Sequence, residues 1–264
     1  MDIINKDYRP SGEIRFAVFD FDGTISALRC GWEKIMLPLM LECMSPGAEP
    51  SEALREEAER YIDESTGIQT IYQMQWLAER VNELTGVMRP AQWYKDEYLR
   101  RLALSIAHKK QALAEGSEPP ENYLIAGSAQ FLKALAEREI TLYLASGTDH
   151  KDVVYEAELL GVKDYFAGIY GAPEDRADCS KEAVLRMLLE EKNISGRQLL
   201  VAGDGKVEIA LGKQNGAFAL GAATDEEKLH GVNPVKYSRL LKAGADAITG
   251  DFIEKEEILK VLAL

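Results

Sequence analysis

Hydrophobic and polar positions follow two different rhythms along this chain. Residues 14–19, IRFAVF, form a short and nearly continuous apolar run, the pattern of a strand buried on both faces of a sheet. Similar short runs recur at 141–145, 169–171, 199–202, 217–220 and 247–249, with amphipathic stretches such as SAQFLKALAERE and KEAVLRMLLEEK among them. Strand alternating with helix predicts an α/β fold built on a parallel sheet covered by helices.

The stretch 28–120 breaks this alternation. SEALREEAERYIDE, TIYQMQWLAERVNEL and AQWYKDEYLRRLALSIAHKKQALAEG read as long helices, with turn signals such as Ser45-Pro46-Gly47 between them and no convincing strand. The expected organisation is a sheet domain of residues 1–27 and 121–264, interrupted by an all-helical insert at 28–120. The loop Gly116-Ser117-Glu118-Pro119-Pro120 closes the insert. There is no internal repeat and no low-complexity tract.

Composition narrows the partners. With 264 residues, 46% hydrophobic and 28% charged, the chain can bury a substantial core. A formal net charge of -13 repels nucleic-acid phosphates and anionic membranes unless a local basic patch intervenes. Lys109-Lys110 is the nearest candidate and reads as a solvated helix end. The opening MDIINKDYRPSGEIRF lacks the basic start, apolar run and cleavage site of a secretory signal, and no later run is long enough to span a bilayer. A cytoplasmic protein is therefore expected, with neither nucleic acid nor membrane as partner. Cys30, Cys43 and Cys179 are odd in number and widely spaced, which suits reduced thiols rather than a disulfide framework or zinc site.

Candidate chemistry sits at the ends of the predicted strands. The first run leads into Asp20-Phe21-Asp22-Gly23-Thr24, where a parallel sheet delivers its strand ends to a ligand crevice. A carboxylate there can attack phosphorus when a divalent cation shields its charge, and a second acid can protonate the leaving oxygen and then activate water. Asp20 and Asp22 supply such a pair; two loop carboxylates capping a turn are the alternative. Ser146-Gly147 follows TLYLA and offers a hydroxyl and an open backbone amide to a phosphate, or simply a turn. Lys181 opens a helix after Asp178-Cys179-Ser180, the unfavourable end of a helix dipole for a cation, which suggests an anionic partner, with an ordinary solvated lysine as the alternative. GDGKVE after LLVA presents Asp204 and Glu208 as hard oxygen donors. Glu208 stands where a dinucleotide loop would carry its third glycine, and no Walker phosphate loop occurs.

In this order, DFDGT, Ser146, Lys181 and GDGKVE resemble the four motifs of haloacid dehalogenase-type hydrolases, and the insert occupies the position of that superfamily's helical C1 cap. The resemblance is to the phosphoglycolate phosphatase and β-phosphoglucomutase-like members. It implies a Rossmann-like core with an inserted all-helical cap domain. By it, Asp20 is the nucleophile and Asp22 the general acid and base. Ser146, the Gly147 amide and Lys181 hold the transferring phosphoryl group. Mg2+ is held by Asp20, the backbone carbonyl of Asp22, and Asp204, while Thr24 braces the nucleophile loop. The family often has a second aspartate where this chain has Glu208, whose longer arm reaches the metal through water. Asp22 itself narrows the chemistry: superfamily dehalogenases lack it and transport ATPases carry threonine, which leaves phosphatase or phosphomutase reactions.

Specificity residues are harder to read. Thr66-Gly67-Ile68-Gln69 joins two helices of the insert and either faces the active site or forms a helix capping box. Trp32, Trp76 and Trp93 suit packing between helices, and His150 the first turn of a helix. The expected function is Mg2+-dependent hydrolysis of a small phosphorylated metabolite through an aspartyl-phosphate. A β-phosphoglucomutase-like phosphomutase and a non-catalytic binding protein are the alternatives, and monomer or homodimer stays open.

Overall fold

The computed structural model describes residues 1–8, 12–172, 181–191 and 193–264. Its centre is a sheet of β1 (Asp2–Ile3), β2 (Phe16–Phe19), β3 (Thr141–Asp149), β4 (Phe166–Ala172), β5 (Leu199–Gly203), β6 (Phe218–Ala222) and β7 (Ala247–Thr249). The spatial order is β1-β7-β6-β5-β2-β3-β4. Neighbours run parallel except β1, which pairs antiparallel with β7.

The apolar runs are continuous because both faces are covered, and alternate residues serve opposite faces. Ala17, Phe19, Leu142, Leu144 and Leu200 pack on one side against α5 (Ser128–Ala136), α6 (His150–Leu159) and α10 (Lys255–Leu262). Val18, Tyr143, Leu199 and Val201 pack on the other against α7 (Lys181–Glu191). Further along that face, α8 (Lys206–Gln214) and α9 (Pro234–Lys242) cover Ala219 and Ile248 through Ile209 and Leu240.

The chain proceeds from β2 to β3 on one side and later reaches β5 on the other. This is a topological switch point, where diverging connections open a crevice at the carboxyl ends of the strands. Above it lie α1 (Glu33–Met44), α2 (Glu52–Glu64), α3 (Thr70–Thr85) and α4 (Ala91–Glu115). They form a helical cap with a core of its own, including Met36, Met40, Met74, Leu77, Tyr98 and Leu102. Ser51 starts α2 as an N-cap, its side chain accepting the Leu54 N–H at 3.3 Å.

Several expectations need correction. The leader contains β1, a two-residue edge strand whose Ile3 is half exposed, too short to leave a hydrophobic signature. The run at 141–145 continues as extended backbone to Asp149 and carries Ser146 with it. Lys109 and Lys110 are not a solvated helix end. Lys109 Nζ donates to the Leu28 carbonyl, where the insert begins, at 3.1 Å, and Lys110 Nζ to Glu156 at 3.0 Å, which ties α4 to the sheet domain. Trp76 stacks on Tyr61 between α3 and α2 at 3.8 Å, whereas Trp93 lies on the surface beneath Arg89. His150 begins α6 as expected. Cys30 and Cys43 are free thiols; Cys179 lies outside the described residues. No helix among the described residues is long and apolar enough to cross a membrane.

Candidate active site

Asp20 leaves β2 at the switch point, and its backbone N–H donates to Ala202 of β5 at 2.9 Å. The next residues fold back at once, with the Ile25 and Ser26 N–H groups both donating to Phe21 and Gly23 N–H to Ser26. These main-chain bonds fix the loop. Thr24 is wholly buried, but its hydroxyl has no hydrogen-bond partner among the described residues, so it does not brace the loop through that group.

Lys181 stands at the start of α7 with Nζ 2.9 Å from Asp20 Oδ1 and 2.9 Å from Glu208 Oε2. The residues expected before it, Asp178-Cys179-Ser180, lie outside the described residues. Burial alone would depress the lysine, but Asp20 and Glu208 hold its ammonium above the ordinary value. Burial pushes the Asp20 carboxyl well above its usual range; Lys181 opposes this, while Glu208 and Asp204 add to it. Glu208 is in the first turn of α8, where its Oε1 accepts the Gly205 N–H at 2.6 Å.

Asp204, just past β5, accepts Lys236 Nζ at 2.6 Å, and Lys236 also pairs with Glu226. Burial works against the Asp204 charge, yet Lys236 and Arg239 hold its carboxyl below the usual value. Oxygens of Asp20, Asp204 and Glu208 lie within 4.8 Å of one another. This buried trio of hard carboxylate oxygens is the donor type that fits Mg2+. The Asp22 carboxylate is not part of this trio.

Asp22 is held apart from its neighbour. Its Oδ2 accepts the Thr148 hydroxyl at 2.7 Å, and Oδ1 lies 3.9 Å from Arg29 Nε. Burial raises its pKa, with Arg29 opposing and Glu156 adding to the rise. Ser146 Oγ accepts the Thr148 N–H at 3.0 Å, and Ser146 and Gly147 line the crevice beside Asp20 and Lys181.

From the helical side, Thr66, Gly67, Ile68, Thr70 and Gln73 complete a cavity of ≈ 100 Å³. Gly67 has a φ of 90°, and a Cβ there would sit 3.4 Å from Glu208 Oε2 and 3.9 Å from Lys181 Nζ. At Gly147 a Cβ would come within 2.9 Å of the Ile68 carbonyl, so backbone lies directly on backbone. The loop therefore faces the site and forms no capping box. The left-handed Gly67 cannot begin a helix, α3 starts at Thr70, and the Thr66 hydroxyl instead donates to Ile62 in α2 at 3.0 Å. Gln69 is the N-cap residue of α3 without a side-chain capping bond and is not among the lining residues; Gln73, one turn on, is.

Arg29, Thr148, Glu226 and Lys236, together with Tyr98 on the cavity wall, went unread in the sequence, and Trp32 was read for packing alone. Trp32 thus lines the crevice as well as packing between helices. Lys236 did carry a usable signal: like Lys181, it is a cation in the first turn of a helix, here opened by Pro234.

Comparison with known proteins agrees with this geometry. A family model described as haloacid dehalogenase-like hydrolase matches residues 14–216. A 5'-nucleotidase of Pseudomonas aeruginosa is 28% identical over 129 residues, covering 47% of this chain and 57% of that protein. Copper-exporting P-type ATPase B of Enterococcus hirae is 29% identical over 97 residues, 36% of this chain and 12% of that one. Among solved structures, a predicted phosphoglycolate phosphatase from Haemophilus somnus superposes with a TM-score of 0.63 at 14% identity, over 93% of this chain and 98% of that one. A β-phosphoglucomutase from Clostridium difficile gives 0.61 at 16% identity, over 95% and 97%. At such identities the likeness establishes a shared fold.

Proposed function

The chain belongs to the haloacid dehalogenase-like hydrolase family, and from that premise we propose that it is a Mg2+-dependent phosphatase acting on a small phosphorylated metabolite through an aspartyl-phosphate on Asp20. The observation that carries this reading is the separation of two carboxyl groups. Asp20 is set among Lys181, Asp204 and Glu208, while Asp22 is held by Thr148.

Asp20 attacks phosphorus as the bond to the leaving oxygen breaks, and Asp22 gives that oxygen its proton. Asp22 then takes a proton from water, whose oxygen attacks the aspartyl-phosphate, releasing phosphate and regenerating Asp20. An Asp22 carboxyl raised by burial suits the proton-donor role. Lys181, Ser146 and the Gly147 amide steady the phosphoryl oxygens. Asp20, the backbone carbonyl of Asp22, and Asp204 would hold magnesium, which supplies charge neutralisation when bound.

Residues 28–120 serve as the cap domain on a core of 1–27 and 121–264. Thr66, Gly67, Ile68 and Thr70 wall one side of the cavity, which limits the water that competes for the phosphoryl group, and the small cavity favours a metabolite of few atoms.

The test is phosphate release from a panel of phosphorylated sugars, acids and nucleotides, with and without Mg2+. Release confined to a few small compounds, dependent on Mg2+ and lost in Asp20→Asn, is expected. Release by Asp20→Asn at the wild-type rate would exclude Asp20 as nucleophile, and isomerised sugar phosphate without free phosphate would make the protein a mutase.

A further inference from the structure

Arg29 lies in the segment that leaves the sheet domain for α1 and is 8% exposed. Its guanidinium meets Glu156 of α6 fork to fork, Nε to Oε2 at 2.9 Å and Nη2 to Oε1 at 2.8 Å. Glu156 is fully buried, and a buried carboxylate persists only when paired. Its second partner is Lys110 of α4, at 3.0 Å. Asp152, one turn before Glu156, lies 3.8 Å from Arg29 Nη2. The orientation of Arg29 is therefore set from several directions at once.

The same guanidinium faces Asp22, with Nε 3.9 Å from Oδ1. That oxygen is buried and has no hydrogen-bond partner among the described residues, whereas Oδ2 takes the Thr148 hydroxyl at 2.7 Å. The Arg29 Nε–H is already given to Glu156, so its hold on Asp22 is electrostatic. With its charge committed to Glu156, Arg29 is poorly suited to bind a substrate anion but well suited to fix a neighbouring carboxyl group.

We propose that Arg29, clamped by Glu156, is a positioning residue that aims Asp22 at the leaving-group oxygen, and that Lys110 links this clamp to the seating of α4. The proposal rests on the phosphatase reading and concerns only the proton-transfer half of it. A misaimed acid matters when the leaving group departs as a basic alkoxide and matters little when it departs as a stable anion.

The experiment compares kcat/KM for p-nitrophenyl phosphate, phenyl phosphate and β-glycerophosphate, with Mg2+, in wild type, Glu156→Gln and the Arg29→Met, Glu156→Leu double variant. The double variant removes both buried charges together, so the fold is kept in case Glu156→Gln alone unfolds. In a folded variant, β-glycerophosphate should lose at least about tenfold, part of the roughly 10²- to 10⁴-fold that a general acid contributes, while p-nitrophenyl phosphate stays within about threefold. Equal losses on all three substrates, or no loss, would overturn the proposal. Wild-type protein that releases phosphate from none of these and from no compound of the panel of phosphorylated sugars, acids and nucleotides refutes the phosphatase reading itself and takes this proposal with it, an outcome visible before any substitution is made.

Discussion

At Glu226 several influences meet. Burial pushes its carboxyl up to about 7; the adjacent Lys236 opposes the rise, and Asp204 adds to it. Its folded pKa lies above the ordinary unfolded value, so the folded state holds the proton more tightly. That contribution to stability is complete below the unfolded pKa and is lost as pH rises through about 7. Glu226→Gln has no such proton to lose. Between about pH 4.5 and 7.5 the metal-free variant should gain roughly 2–3 kcal/mol relative to wild type, read by urea unfolding across that range. A difference independent of pH would contradict the assignment. Residues of this kind were illegible in the sequence for a physical reason. Asp20, Asp22 and Asp204 announce themselves because each follows an apolar strand run, whereas Glu226 sits in TDEEK, which reads as solvated surface until Lys236, ten residues on, is folded against it. Arg29 likewise has its partner 127 residues away.

Whole elements were more legible than their edges. Buried parallel strands need both faces apolar, so β2, β5 and β6 stand out as runs, and α2, α3 and α4 as long periodic stretches. What failed was local. β1 owes its existence to β7, and the Thr66 to Gln69 spacing imitates a capping box that Gly67 prevents. The core packing of these elements can be tested at Phe131 of α5. This ring is fully buried, edge-on to Phe19 of β2 at 6.0 Å and stacked with Phe252 at 5.2 Å. Phe131→Ala should cost about 3–5 kcal/mol in chemical denaturation, because the space left behind is walled by the sheet and cannot collapse. A loss under about 1 kcal/mol would mean that the aromatic cluster does not join helix to sheet as described.

On the scale of the molecule, the site exists because two bodies meet over the switch point. Lys95 of α4 reaches the buried Asp149 at 2.6 Å, Lys110 reaches Glu156, and Arg239 of α9 spans Asp63 in α2 and the Asp204 carbonyl. The 66–70 loop lies on Gly147 and over Lys181. Hydrophobic pattern and motif order foretold a sheet with a helical insert; they did not foretell these contacts, because ion pairs between distant segments leave no periodic trace. The central claim is that this enclosure serves covalent transfer to Asp20. It is tested most directly by acid-quenching the protein during turnover of a substrate from the panel and locating any phosphoryl group by peptide mass spectrometry. The account predicts a phosphorylated peptide carrying Asp20, absent in Asp20→Asn and without Mg2+. Turnover at a measurable rate with the label on another residue would contradict it.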